Sequence, residues 1–199
     1  MVPAENNPLR HTLTHLQLVH PEDQKRIGAL GLYLAFTYAW AIVDPVYDMT
    51  VIPFIEEIRS LEDTYRADSY YMQNVYPAHS MMEAGAVLAA GSDAPVDDRS
   101  PRPFVNMAAG ITRGNAQIGV LNEKEAIDVH QMIAAYTING ARAMSQENSV
   151  GSIESGKRAD LVVLDQNIVE LYESGQAERI ADTGVDITIF AGEIIYTGH

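Results

Sequence analysis

A chain of 199 residues with 47% hydrophobic and 20% charged residues is long enough for one domain with a real core, or for one domain and a small appendage, and its balance excludes a disordered chain. A formal net charge of −14 argues against a nucleic acid or anionic membrane partner, whose phosphates it would repel. With no cysteine, disulfides, thiolate ligands and thiol nucleophiles are excluded as well.

The opening Met1-Val-Pro-Ala-Glu-Asn-Asn-Pro has neither the basic nor the apolar region of a signal peptide. The apolar stretch from Leu30 to Val46 is broken by Thr37, Asp44 and Pro45, which suits a buried strand and its loop better than a membrane span. The expectation is a cytoplasmic protein. Leu9 to Val19 reads as a strand, with Thr12, Thr14, Leu16 and Leu18 on one face and His11, Leu13, His15 and Gln17 on the other. His20-Pro-Glu-Asp then starts a helix, since proline and two acids suit a first turn, and Gly31 closes it. Leu32 to Ala41 is apolar and aromatic, as a buried strand would be, which completes a βαβ unit.

Asp44 to Asn74 is irregular, with a short amphipathic helix expected around Ile52 to Leu61 and with Tyr47, Tyr65, Tyr70 and Tyr71 along it. Such a stretch is either an active-site loop or a packed surface excursion. Tyr76 to Ala84 predicts a helix ended by Gly85. Ala86 to Ala90 predicts a buried strand running into Gly91-Ser-Asp-Ala-Pro, a turn that carries Asp93. Glu123 to Met144 has helical spacing, with Asn122 as its cap and Glu123 and Glu125 in its first turn. After Ser145 the pattern is all-β: a turn and strand through Val150 to Asp165, then strands at Asp186–Phe190 and Glu193–Tyr196 joined by Ala191-Gly192.

Three motifs in order, Thr14-His-Leu-Gln-Leu-Val-His-Pro-Glu-Asp, Gly91-Ser-Asp-Ala-Pro-Val and Val150-Gly-Ser-Ile-Glu-Ser-Gly-Lys-Arg-Ala-Asp-Leu-Val-Val-Leu-Asp, resemble the amidohydrolase superfamily. The likeness is to its amidohydrolase family 3, the N-acyl-amino-acid-hydrolase-like branch, and runs from Arg10 to Tyr196. The resemblance implies an α/β fold: the C-terminal part of a (β/α)8 barrel, with the last three βα units in residues 1–148, and a β-sandwich segment in residues 149–199.

The activity so implied is metal-dependent hydrolysis of a non-peptide C–N bond in an amide, N-acyl or cyclic amide substrate, through water activated by one or two divalent ions, zinc foremost. His15 takes the place of the family's metal-binding strand-six histidine. Asp93 takes that of the strand-eight aspartate, ligand and general base. Where the branch has an acid before this histidine, Thr14 stands here, which bears on tuning of the ligand more than on ligation. Arg113 is placed either to hold a substrate carboxylate or in a salt bridge. Tyr38, Trp40 and Tyr47 are expected to give the substrate apolar contact, although core packing explains Tyr38 and Trp40 equally.

The family's His-x-His pair occurs nowhere in the sequence. Two ligands make a poor zinc site, so the chain is expected to be catalytically incomplete alone. Besides a small-molecule substrate, its expected partners are a missing N-terminal portion or a second copy in a homo-oligomer. The alternative is an inactive binding or scaffold module derived from such an enzyme.

Overall fold

Strand β1 (Thr12–Thr14) is cut short by backbone geometry: His15 and Leu16 take left-handed angles, φ 67° and 52°. The alternation expected as far as Val19 therefore stops at Thr14, and His11 is exposed. The computed structural model describes residues 9–60, 63–96, 98–115, 117 and 119–198, so the opening octapeptide and Leu61 lie outside the described residues.

Helix α1 (Pro21–Ala29) forms as its ends dictate. His20 Nδ1 accepts the Glu22 N–H at 3.3 Å, Glu22 and Asp23 occupy the positive N-terminal turn, and Arg26 the last. Gly31, at φ 58°, lets the chain leave the helix. Strand β2 (Tyr33–Phe36) buries Leu34 and Phe36 and then tightens into a 3-10 turn at Tyr38–Trp40, earlier than the strand end expected at Ala41.

Asp44 caps α2 (Pro45–Asp48). The helix expected from Ile52 shrinks to a 3-10 turn, Ile52–Phe54; Ile52 is buried, Ile55 and Ile58 are partly buried against the core, and Phe54 stands in solvent. Two short helices follow, α3 (Tyr70–Asn74) and α4 (Ala78–Glu83), then β3 (Val87–Ala90). Strands β1, β2 and β3 make one parallel sheet in that order, with Thr12 opposite Tyr33 and Tyr33 opposite Val87. Gly28 lets α1 lie directly on the end of α4: a Cβ there would meet the Cβ of its C-cap, Ala84, at 2.3 Å.

A buried helix not expected from the sequence, α5 (Pro103–Thr112), comes next, and Arg113 ends it at φ 58°. A two-residue ribbon, β4 (Gly114–Asn115) against β5 (Gly119–Val120), follows. The single helix expected from Glu123 to Met144 is a 3-10 turn (Glu123–Glu125) and two helices, α6 (Val129–Tyr136) and α7 (Ile138–Ala143). Asn122 does not cap; its amide donates to the Val75 carbonyl at 3.1 Å. The cap is Asp128, which forms a reciprocal capping box with Gln131.

The tail holds β6 (Leu161–Leu164), α8 (Ile168–Glu173), a 3-10 segment at Ala177–Asp182, β7 (Val185–Phe190) and β8 (Glu193–Thr197). The strands form an antiparallel sheet in the order β6-β7-β8, and the expected hairpin turns on Ala191 and Gly192, at φ 51° and 87°. The tail is not all-β, however. Ile168, Leu171 and Ile180 from its helical insertion join the same core as Leu34, Phe36 and Met132, with the 3-10 segment packed on α5. Among the described residues no helix is long and apolar enough to cross a membrane.

Candidate active site

Because β1, β2 and β3 run parallel, their C-terminal ends share one edge, and the segments carrying His15 and Asp93 leave the sheet there. His15 follows β1, and its N–H continues the ladder to the Ala35 carbonyl at 3.1 Å. Gly91 extends β3 in the same way, donating to the Phe36 carbonyl at 3.1 Å, and Ser92 and Asp93 come directly after it. Asp93 is half-buried and left-handed, φ 53°, and its carbonyl accepts the Val96 N–H at 3.0 Å. Trp40 leaves β2 between these two segments and stacks on His15, with ring centroids 5.5 Å apart.

A cavity of about 320 Å³ opens beside this edge. Trp40, Tyr47 and Ser92 line it with Asp44, Asp98 and Arg102. That volume lies at the lower end of small-molecule sites. Buried Asn106 fixes the wall by accepting the Ala39 N–H on Oδ1 at 2.9 Å, which ties the Trp40 turn to α5. Tyr47 is held from the other side, its hydroxyl donating to Gln17 Oε1 at 3.1 Å.

Behind Tyr47 lies a carboxylate clasp. Asp48 is buried, and it accepts the Tyr65 hydroxyl at 2.5 Å on Oδ2 and the Tyr71 hydroxyl at 2.7 Å on Oδ1. Burial, and then the hydrogen bond to Asp48, push both phenol pKa values well above their usual range. The tyrosine-rich stretch is thus anchored by a charged group under the cavity wall.

Of the residues singled out in the sequence, Trp40 and Tyr47 line the cavity, His15 and Asp93 sit at the same sheet edge but outside its lining, and Arg113 lies apart from both. Arg113 is fully buried, donating from Nε to the Leu121 carbonyl at 2.9 Å and from Nη2 to the Val75 carbonyl at 3.2 Å, with the Tyr76 ring 5.8 Å away. Burial pulls its pKa down to about 10. It lies outside the cavity lining and makes none of the structure's ion pairs with a carboxylate among the described residues, so both expected roles give way to that of a core brace. The sequence reading missed Asp44, Asp98, Arg102 and Asn106. Asp44-Pro45 was a legible signal, a capping acid before a first-turn proline.

One imidazole and one carboxylate are suitable donors for zinc, yet a stable site needs three or more. Among the described residues no group of three His, Asp or Glu side chains converges. The residues present therefore do not make a metal site by themselves.

A family model described as "Amidohydrolase family" matches residues 2–196. The chain is 35% identical over 95 residues to a 5-methylthioadenosine/S-adenosylhomocysteine deaminase of Teredinibacter turnerae, covering 48% of this chain and 21% of that protein. It is 33% identical over 106 residues to an N-substituted formamide deformylase of Arthrobacter pascens, covering 53% and 19%. The chain thus spans about a fifth of the length of these relatives. Its fold is similar to that of an adenosine deaminase from Xanthomonas campestris with bound Zn, with a TM-score of 0.58 and 19% identity over 92% of this chain and 36% of that one.

Proposed function

This chain belongs to the amidohydrolase family, and from that premise we propose that it forms one wall of a metal-dependent hydrolase of non-peptide C–N bonds. The observation that carries the reading is the gathering of His15, Trp40 and the Asp93 turn at one edge of a parallel sheet, beside a cavity of small-molecule size. In this reading residues 1–148 are the last three βα units of a (β/α)8 barrel, and residues 149–199 the C-terminal segment of a β-sandwich.

Two further features support it. Among the described residues the outer edges of β1 and β3 pair with no strand, and Thr12 and Thr14 are exposed where parallel sheets are normally covered. Val162 and Tyr196 both pair with Thr188 and so share a face of the tail's sheet, where they stand exposed as apolar surface that a second sheet would cover.

The parts divide the work as follows. Trp40 and Tyr47 bury the substrate's apolar body. Asp93 takes the proton from the attacking water and returns it to the departing nitrogen, so the C–N bond breaks without releasing a strong base. His15 and Asp93 would be two of the donors holding a divalent metal, zinc foremost, which would supply an activated water. Further donors come from strands continuing the sheet, in the same polypeptide or a partner.

The test uses the protein in its native assembly. Zinc per chain is measured beside release of ammonia or amine from a panel of amides, N-acyl compounds and cyclic amides. Bound metal with amine release that Asp93→Asn lowers by a factor of ~10² or more is expected. Stoichiometric metal with no C–N cleavage anywhere in the panel would overturn the reading.

A further inference from the structure

The charge of the cavity wall says what kind of substrate it receives. Among the described residues its charged side chains are Asp44, Asp98 and Arg102. Arg102 Nε lies 3.2 Å from Asp98 Oδ2, so this guanidinium already has its carboxylate. Asp44 has no such partner. Its Oδ1 accepts the N–H groups of Val46 and Tyr47, each at 3.1 Å, and among the described residues its Oδ2 accepts no hydrogen bond. Two carboxylates against one guanidinium leave one negative charge over. Arg113, the other cation that the sequence suggested for a substrate carboxylate, is walled into the core by two carbonyls.

A carboxylate entering this cavity would meet Asp44 with, among the described residues, no unengaged cation on the wall to receive it, and would first cross the field of a chain with net charge −14. A planar cation gains on each count: Coulomb attraction to Asp44, hydrogen bonds to its open oxygen, and the aromatic surfaces of Trp40 and Tyr47. We infer that this cavity receives a planar cationic nitrogen group, an amidinium, guanidinium or protonated heteroaromatic amine, and rejects a free carboxylate. The inference rests on the cavity being the substrate site proposed above, and it narrows that substrate class to compounds with a basic, flat end.

Benzamidine and benzoate, nearly equal in shape and opposite in charge, are the probes. Trp40 is the chain's single tryptophan, so its emission reports cavity occupancy without any need for turnover. Saturable quenching by benzamidine is expected, at least tenfold tighter than any by benzoate and weakened by salt. Asp44→Asn, which keeps a capping side chain for α2, is expected to weaken benzamidine at least fivefold with no loss of fold. Asp98→Asn, which frees Arg102, is expected to improve benzoate. Benzoate binding as tightly as benzamidine, no saturable response to either, or an Asp44→Asn variant that folds and binds benzamidine unchanged would each overturn the inference. These outcomes are independent of hydrolysis: failure of every amide assay, with the charge preference intact, would remove the catalytic reading and leave the cation site standing.

Discussion

His15 and Trp40 lie ring over ring, with centroids 5.5 Å apart and planes 12° from parallel, and so the ends of β1 and β2 are joined through side chains as well as through the ladder. Since Trp40 is the only indole, its fluorescence is a direct monitor of the His15 imidazole. Zinc added to the metal-free native assembly, where further donors complete the site, is expected to change that emission saturably, because an ion drawing on the imidazole lone pair alters the ring beside the indole. His15→Ala is expected to abolish the response. An undiminished response in that variant would show that zinc acts elsewhere and would remove His15 from the donor set.

Asp93 is held at φ 53°, where few side chains other than Asn and Asp are at ease. Asp93→Asn therefore keeps both the shape and the backbone preference of the turn while removing the proton acceptor. Its free energy of unfolding in urea is expected to stay within about 0.5 kcal/mol of wild type, whereas C–N hydrolysis falls by ~10²–10⁴. Equal losses in stability and activity would mean that the carboxylate serves the turn and not the reaction.

What the sequence revealed, and what it hid, follows from where each signal resides. Helix α1 was legible because Pro21, Glu22, Asp23 and Gly31 act on their own helix ends, and the hairpin because Ala191-Gly192 acts on its own turn. Helix α5 was not, because six consecutive residues from Asn106 to Ile111 are buried, and a helix covered all round has no amphipathic period to detect. The start of α6 was misassigned because Asn122 has the right side chain for a cap but spends it on a carbonyl 47 positions away, while Asp128 and Gln131 carry the true signal. The positions of His15 and Asp93 at strand ends were legible because each lies in a motif tied to such an end. Arg113 was misplaced because sequence tells which residue follows a helix, not which way the guanidinium turns, and this one turns inward.

The Asp48 clasp makes a prediction about alkali. Tyr71→Phe removes a hydroxyl donating to a buried carboxylate and is expected to cost about 1.5–3 kcal/mol, the range for hydrogen bonds to charged groups. The folded-state pKa values of Tyr65 and Tyr71 are raised, so the stability they contribute is fully present below the ordinary tyrosine value of about 10 and is lost as pH climbs beyond it. Ionisation would set a phenolate against Asp48. The double variant Tyr65→Phe, Tyr71→Phe is therefore expected to be less stable at pH 7 yet to lose less additional stability above pH ~10. Parallel alkaline profiles for the two proteins would sink the account.

At the acid end the corresponding pair is Arg10 and Glu147, which fastens the residues before β1 to the chain beyond α7. Arg10 Nη1 donates to Glu147 Oε2 at 2.6 Å, and its other donors reach Glu147 Oε1 and the Arg142 carbonyl. The guanidinium hydrogen bond holds the Glu147 carboxyl down at about 2. A depressed carboxyl pKa contributes stability that is fully present above the unfolded value of about 4.3 and is lost as pH falls toward the folded one. Glu147→Gln is thus expected to unfold at lower urea than wild type at pH 7, with the gap closing between pH ~4.5 and ~2. The pair is partly exposed and will be screened, so 1 M salt is expected to narrow the gap at pH 7 also. A gap that persists unchanged at pH 2 would mean that Glu147 stabilises this junction by packing and not by its charge.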